Sequence, residues 1–259
     1  MGRRGWVSWT GVLGAVGALL LPGCVVPAPG PEGAGVSDVG PVASRLFQTP
    51  AGGGDWQVFR LPGKVAAPFE PVWEDGRQAL QVRAQGSVSV LRQRFGDAGP
   101  APGVLRFAWK VEALPEGADL RDAAATDAPV RLLLAFDGDR SQWSARTHRL
   151  SELSQLLTGE PLPYATLSYV WSREDPPEAV LHNPRTDRIR KVVVDSGHAH
   201  LGQWREHQRD VQADFRRAFG EAPGPLVAVA LMTDTDNTAS ALRAWYGPMQ
   251  LMAVPGGRQ

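Results

Sequence analysis

The sequence predicts a domain dominated by β-structure: an antiparallel two-sheet β-sandwich of jelly-roll type with one or two inserted helices. About nine or ten short segments have the apolar or alternating pattern of strands and are separated by turn residues. The chain contains 29 glycines and 22 prolines, which favour frequent turns and short strands. Strands and helices do not alternate regularly along the chain, which argues against a parallel α/β sheet.

Val104–Glu112 gives the clearest strand prediction, because its alternate residues are apolar: Leu105, Phe107, Trp109 and Val111. A period of two is typical of a strand with one buried face. Val130–Phe136 is more continuously apolar, as expected for a central strand, and it ends at the turn formed by residues 137–140. Further strands are predicted over 56–60, 78–83, 87–94, 165–171, 188–195, 225–232 and 242–254.

Two helices are predicted between the strands. Arg149–Leu157 carries leucines at helical spacing and is followed by Gly159, a residue common at helix C-termini. Gln203–Phe219 is the stronger amphipathic helix, and Gly220 followed by Pro223 ends it. Its apolar stripe consists of Trp204, Val211, Phe215 and Phe219.

The charge balance does not favour a nucleic-acid partner, and none is expected. Lysine plus arginine equals aspartate plus glutamate, 27 of each, so no net field attracts a polyanion. Removing a leader that contains Arg3 and Arg4 leaves 27 − 2 = 25 basic against 27 acidic residues, a net charge of −2. Cys24 is the sole cysteine, so the chain cannot form an internal disulfide.

Residues 1–23 predict a lipoprotein signal peptide, with Arg3 and Arg4 before an apolar stretch. Leu21-Pro22-Gly23-Cys24 resembles the bacterial lipobox, which implies cleavage before Cys24 and acylation of that cysteine. Val25 follows the cysteine, and in this respect the segment resembles lipoproteins that are sent to the outer membrane. We therefore expect export and lipid anchoring at the periplasmic face of that membrane. The alternatives are an uncleaved transmembrane anchor and a chance cysteine behind an ordinary signal peptide.

Residues 24–51 are rich in proline, glycine, alanine and valine with little periodicity. This composition predicts a tether that holds the domain away from the membrane. Residues 52–259 are predicted to form the single sandwich domain.

The densest polar chemistry lies in Met232–Thr238, directly after a predicted core strand. Asp234, Asp236 and Asn237 offer oxygen ligands to Ca²⁺, and Asp137 and Asp139, after another core strand, supply more if the two loops adjoin. The alternative is that these side chains hydrogen-bond to the backbone of their own turns. No other cofactor is expected.

The same carboxylates also suggest acid–base chemistry. Two of the three residues Asp137, Asp234 and Asp236 would serve as the pair that glycosidases place on either side of a sugar bond. The sequence around them contains no recognised catalytic signature.

Tryptophans near turns or strand ends are candidate platforms for sugar rings, because a sugar stacks its apolar face on an indole. Trp171 is the main candidate, with Trp73, Trp143 and Trp245 as others. The alternative is that they belong to the core, like most aromatic residues.

His198-Ala199-His200 has the spacing of a zinc site, and His182 or His207 would be a third ligand. The alternative is a pair of surface histidines in a glycine-flanked loop.

The second half of the chain resembles the bacterial domain of unknown function 3047 family, and the resemblance extends over about residues 56–251. Its most specific part is Met232–Thr238. Other matching segments are 127–131, 136–139, 169–171, 196–197, 202–204, 209–211, 214–215, 219–221 and 246–247. The resemblance implies an envelope protein with a sandwich fold and assigns no catalytic residue.

We therefore expect a non-catalytic lipoprotein of the cell envelope that binds a carbohydrate or another envelope polymer. One alternative is a carboxylate-dependent hydrolase acting on an envelope glycan. The other is a structural lipoprotein with a protein partner, for which a large exposed apolar patch would be the sign.

Overall fold

The computed structural model of this chain describes residues 39–49, 53–96 and 99–252. The predicted signal peptide, Cys24 and the first part of the predicted tether lie outside these residues. The described residues form two β-sheets that pack face to face, with three α-helices. The prediction of a β-dominated two-sheet sandwich is confirmed.

Six strands form the first sheet, which we call sheet I. Five of them are hydrogen-bonded in the order β11 (Arg205–Asp210), β6 (Val104–Val111), β13 (Ala241–Met252), β4 (Arg77–Gln85) and β3 (Phe69–Glu74). The short strand β1 (Phe47–Gln48) pairs with β13 in parallel.

Seven strands form the second sheet, sheet II. Their order is β2 (Gln57–Val58), β5 (Val88–Arg94), β12 (Leu226–Asp234), β7 (Ala128–Phe136), β8 (Ala165–Ser172), β10 (Ile189–Ser196) and β9 (Val180–His182). The β8–β10 pair is parallel, so both sheets are mixed rather than purely antiparallel.

Three helices accompany the sheets: α1 (Val39–Leu46), α2 (Ala145–Thr158) and α3 (Val211–Phe219). Ser144 and Asp210 cap the N-termini of α2 and α3 by accepting hydrogen bonds from backbone N–H groups. Gly159 and Gly220 end these two helices in the left-handed conformation, with φ of 78° and 77°.

The core lies between the inner faces of the two sheets. The apolar residues predicted for β6 all belong to it, and Phe107 stacks on Tyr169 of sheet II with ring centroids 5.8 Å apart. The outer face of sheet II is also covered. Leu120 packs against Val170 and Val193, while Phe59 packs against Val88. This leaves the outer face of sheet I as the more open of the two.

The predicted helix Gln203–Phe219 is wrong in its first half, where Arg205–Asp210 forms strand β11. This strand pairs with the edge of β6, and α3 begins only at Val211. The polar residues of β11 alternate between partly buried and exposed positions. The segment therefore forms a strand because it pairs with β6 and forms ion pairs with buried carboxylates. These interactions outweigh the preference for a helix that the spacing of Trp204 and Val211 indicated.

Residues 39–48, within the predicted tether of residues 24–51, are part of the sandwich. Helix α1 buries Val39, Ala43 and Leu46, and Phe47 pairs with Met249 of β13. These buried positions lie three to four residues apart on one helix face, a spacing that the glycine- and proline-rich composition hides. The folded part therefore begins before residue 52.

Candidate functional site

The segment Met232–Thr238 meets the start of β7, not its end. Strands β12 and β7 are antiparallel, and Asp234 pairs with Ala128, the first residue of β7. Asp127 therefore lies beside Asp234. One carboxylate oxygen from each of Asp127, Asp234 and Asp236 lies within 4.8 Å of the other two. We call these three residues the aspartate cluster.

Asp137 and Asp139 lie at the opposite end of β7. That strand has nine residues and therefore separates Asp137 from the aspartate cluster by about 30 Å. Asp137 pairs with Arg140 at 2.7 Å, and Asp139 accepts a hydrogen bond from the backbone of Ser141 at 2.8 Å. The prediction that Asp137 and Asp139 complete a site with Asp234 and Asp236 is therefore wrong, because antiparallel pairing puts them at opposite ends of the sheet.

Asp127 holds the turn that follows β12. Its carboxylate accepts hydrogen bonds from the backbone N–H groups of Asn237 (3.3 Å) and Thr238 (2.8 Å), and from the Thr238 hydroxyl (2.7 Å). Asn237 therefore contributes its backbone to the cluster, while the residue itself is exposed. Sequence reasoning missed Asp127 as a site residue, although it opens the first segment that matches the family.

Two basic side chains balance part of the cluster's charge. Lys64 pairs with Asp236, and Arg131 Nη2 lies 3.2 Å from Asp234 Oδ2. The other oxygen of Asp234, Oδ1, is buried without a hydrogen-bond partner among the described residues. Burial, together with the neighbouring Asp127 and Asp236, raises the pKa of Asp234 to about 7 against the opposing effect of Arg131.

The stability of the fold should depend on the ionisation of Asp234. Its folded pKa of about 7 lies above the unfolded value of about 3.9. Asp234 therefore stabilises the fold most below about pH 4, and this contribution is lost as the pH rises to about 7. With a chelator present, we expect the wild type to lose stability relative to Asp234→Asn between pH 4.5 and pH 7.5 in urea unfolding.

Asp137→Asn is the control for this pH dependence. Hydrogen bonding to Arg140 lowers the pKa of Asp137, so its contribution is lost as the pH falls rather than as it rises. A difference between wild type and Asp234→Asn that stays constant with pH would contradict the assignment to Asp234.

The candidate tryptophans lie in different environments. Trp171 is fully buried, and its indole N–H donates to the Gly197 carbonyl at 3.0 Å, so the prediction that it is an exposed ligand platform is wrong. Its position after a turn-rich segment does not reveal that β8 is buried on both faces. Trp143 is also buried, whereas Trp73 is 71% exposed on β3. Trp245 lies on the outer face of sheet I.

The histidine pair does not assemble a zinc site among the described residues. In that part of the chain, the aspartate cluster is the one group of three or more acidic, histidine or cysteine side chains close enough to share an ion. His207 instead contacts Asp195 at 2.7 Å. His198 is exposed in the turn before β11, which fits the alternative of surface histidines.

The outer face of sheet I carries three cavities, of about 610, 330 and 320 Å³. The two smaller ones share Glu112 and Arg243. The largest is lined by side chains of β4, β6 and β11, including Arg77, Arg106 and Gln208. We call this surface the sheet I face.

Two tryptophans lie on the sheet I face beneath basic side chains. The Arg77 guanidinium is 4.8 Å from the centre of the Trp204 ring. Lys110 and Arg243 lie 5.1 Å and 5.5 Å from the centre of the Trp245 ring. Gly247 makes room for Trp204, because a β-carbon at this position would come within 2.9 Å of the indole.

Three buried polar atoms on the sheet I face have no hydrogen-bond partner within the described part of the chain: the indole nitrogens of Trp204 and Trp245 and Oε1 of Gln81. Gln81 and Trp245 are cross-strand neighbours. The side chains above them are ion-paired, with Arg243 contacting both oxygens of Glu112. The face thus combines unpaired donors and an unpaired acceptor with a partly exposed layer of charges.

The sequence matches the model of a family described as "Protein of unknown function (DUF3047)" over residues 54–250. The chain belongs to this family. No curated protein matches it.

Solved structures similar to this DUF3047 domain include a mutant of the carbohydrate-binding module CBM29-2 complexed with mannohexaose. That match has 10% identity, covers 81% of this chain and 90% of the module, and has a TM-score of 0.33. The xyloglucanase domain of NopAA from Sinorhizobium fredii, complexed with cellobiose, has 8% identity, coverages of 79% and 95%, and a TM-score of 0.40. At these TM-scores, neither likeness supports a conclusion about fold or function.

The described part of the DUF3047 domain contains no helix long and apolar enough to cross a membrane.

Proposed function

We propose that this DUF3047 domain is a non-catalytic binding module for a carbohydrate or another polymer of the cell envelope, and that the sheet I face is its binding surface. The observation that carries the proposal is the set of polar atoms of Gln81, Trp204 and Trp245 that have no partner among the described residues, on the face where Trp245 also lines a cavity. Buried polar groups normally have partners, so unpaired ones on an open face are candidate ligand contacts.

The chemistry of the sheet I face suits a polyhydroxylated chain. Sugar hydroxyls both donate and accept hydrogen bonds, and the face offers donors from Arg106 and Arg243 beside acceptors from Glu112 and Gln208. Five neighbouring strands at about 4.8 Å spacing make a surface about 20 Å wide, which suits an extended polymer. Because basic and acidic residues alternate there, we expect a neutral or weakly charged ligand.

Access to Trp245 requires movement of the side chains that cover it. The side chains of Arg243 and Glu112 are 44% and 42% exposed, so their ion pair is largely solvated. Exposed pairs of this kind contribute about 0–1 kcal/mol, so a ligand that replaces the pair meets little resistance. Lys110 is held more firmly, by Glu74 and Asp75.

The geometry favours binding over glycan hydrolysis. Asp234 has a raised pKa and Asp236 a lowered one, because burial at Asp236 is outweighed by Lys64 together with the hydrogen bond to Asp234. Such a split is a feature of acid–base pairs. Yet one oxygen of each carboxylate lies within 4.8 Å of the other, which leaves little room for a sugar bond between them. Asp127 and Asp234 are also buried.

One observation favours a second function, attachment to a protein partner. Leu153, Leu156 and Leu157 of α2 are 50%, 83% and 59% exposed. Exposed apolar side chains grouped on one helix are typical of an interaction surface. Crosslinking from position 156 would test this function separately.

Arg243→Ala should weaken ligand binding by about tenfold, since a hydrogen bond to a charged group is worth about 1.5–3 kcal/mol. The measurement is retention on purified peptidoglycan and on a glycan array, followed by titration with any retained saccharide. Arg216→Ala, on an exposed position of α3, is the matched control and should bind as the wild type does. No retention of the wild type, or equal losses in both variants, would sink the proposal.

We further propose that the domain is anchored by a lipid on Cys24 at the periplasmic face of the outer membrane. The lipobox-like segment before Cys24 and the predicted tether support this. Cys24→Ala should abolish labelling with a fatty-acid analogue and move the protein to the soluble fraction. Labelling that persists in Cys24→Ala would refute lipidation at this residue.

A further inference from the structure

We propose that the aspartate cluster binds a Ca²⁺ ion, which joins the end of β12 to the start of β7. This site is separate from the sheet I face, and the inference does not depend on what that face binds.

The positions of the three carboxylates fit one ion. Calcium binds oxygen ligands at about 2.3–2.6 Å, so two ligands on opposite sides of the ion are about 4.8 Å apart. One oxygen from each of Asp127, Asp234 and Asp236 lies within 4.8 Å of the other two. All three can therefore contact the same cation. Adjacent backbone carbonyls and water would supply the remaining ligands that calcium requires.

An unpartnered oxygen points independently to a missing ligand. Asp234 is 5% exposed, and its Oδ1 has no hydrogen-bond donor within the described residues. A buried carboxylate oxygen without a partner is destabilising, and each such atom in a native protein calls for an explanation. The other oxygen faces Arg131, so a cation beside Oδ1 would complete the coordination of this carboxylate.

The balance of charge leaves room for a cation. Three carboxylates face two basic side chains, those of Arg131 and Lys64. Arg185 also acts on Asp236, but it donates to a backbone carbonyl, as Lys191 does, rather than to a carboxylate of the cluster. One negative charge therefore remains.

The ligand chemistry favours calcium over other divalent ions. All three side chains are carboxylates, whereas zinc prefers nitrogen and sulfur ligands. Asp127 and Asp234 are both buried, and magnesium retains several waters that such a site accommodates poorly. Calcium accepts irregular geometry and a larger number of protein oxygens.

Lys64 makes a sharp test possible, because it competes for the same carboxylate. Its side chain is 45% exposed and pairs with Asp236, so a bound ion would displace it into solvent. Lys64→Gln keeps all three ligands and removes the competitor. We expect this variant to bind Ca²⁺ about two- to fivefold more tightly, the effect of losing one exposed ion pair.

After chelation, the full domain is titrated calorimetrically with Ca²⁺ and then with Mg²⁺ at pH 8. Its thermal unfolding is measured with each ion. Wild type should bind Ca²⁺ in preference to Mg²⁺ and unfold at a higher temperature with it. Asp236→Asn should bind about tenfold more weakly or not at all, since one of three charged ligands is lost. Asp139→Asn, an acidic residue in the distant turn, should match the wild type.

Two results would overturn the inference. One is the absence of both binding heat and a thermal shift in wild type and in Lys64→Gln at millimolar Ca²⁺. The other is equal Ca²⁺ affinity in Asp236→Asn and Asp139→Asn, which would place the ion elsewhere. Because Lys64→Gln retains every carboxylate, loss of folding in an aspartate variant would not obscure the answer.

Discussion

Replacing Asp214 with alanine should lower the free energy of unfolding by about 3–5 kcal/mol, the usual cost of breaking a buried ion pair. Asp214 is buried on α3 and accepts hydrogen bonds from Arg209 of β11 at 2.8 Å and from the Tyr169 hydroxyl at 2.8 Å. The variant would leave the Tyr169 hydroxyl without this acceptor in the core. Arg209 would keep Glu178, which limits the loss.

Urea unfolding followed by circular dichroism measures this loss. Glu70→Ala is the matched control, because its pair with Arg83 is exposed and 3.7 Å long. The control should change stability by about 0.5 kcal/mol or less. A loss of stability in Asp214→Ala no larger than in the control would contradict the buried ion pair between Asp214 and Arg209 of β11. It would also contradict the strand that replaces the predicted helix.

Phe136→Ala should also cost about 3–5 kcal/mol, the range for removing a large aromatic side chain from a core. Phe136 is fully buried at the end of β7, and its ring centroid lies 4.6 Å from that of Phe215 on α3. The truncation removes one of the contacts by which α3 packs on sheet II, and the rigid strand cannot close the cavity.

The control for Phe136→Ala is Leu156→Ala, an exposed leucine on α2 that should have little effect. Both variants are measured by guanidinium unfolding with the same baseline. Similar midpoints for the two variants would show that α3 does not depend on Phe136.

Local sequence pattern was enough to predict the sandwich and most of its long strands. Period two in β6 predicted its buried residues, because one face of a strand packs on the core along its whole length. The same pattern in β11 was missed, since Arg205, His207 and Arg209 are polar. Their burial depends on Asp195 and Asp214, which are distant in sequence, so alternation of hydrophobicity does not report it.

Two of the three residues of the aspartate cluster were predictable. Asp234 and Asp236 follow an apolar strand, and that position indicated a polar site. The third member depended on strand order. Asp127 precedes β7 while Asp137 follows it, and only antiparallel pairing with β12 decides which of the two lies beside Asp234. The available signal in the sequence was the carboxylate of Asp127 immediately before the core strand β7.

The sheet I face was not predictable from single strands. Trp245 lies between Gln81 on one side and Lys110 on the other, and these neighbours come from strands far apart in the chain. Alternation showed that Lys110 and Glu112 face away from the core. It did not show that the cavities between β4, β6, β11 and β13 would form on that side.

Indole ¹H–¹⁵N spectra during a titration with a retained saccharide test the binding proposal most directly. The indole N–H groups of Trp204 and Trp245 have no partner among the residues that the structure describes, while that of Trp109 donates to Asp195 and that of Trp171 to Gly197. We predict that saccharide shifts the Trp204 and Trp245 resonances and leaves those of Trp109 and Trp171 unchanged. A titration to saturation that shifts neither the Trp204 nor the Trp245 resonance would contradict binding at this face.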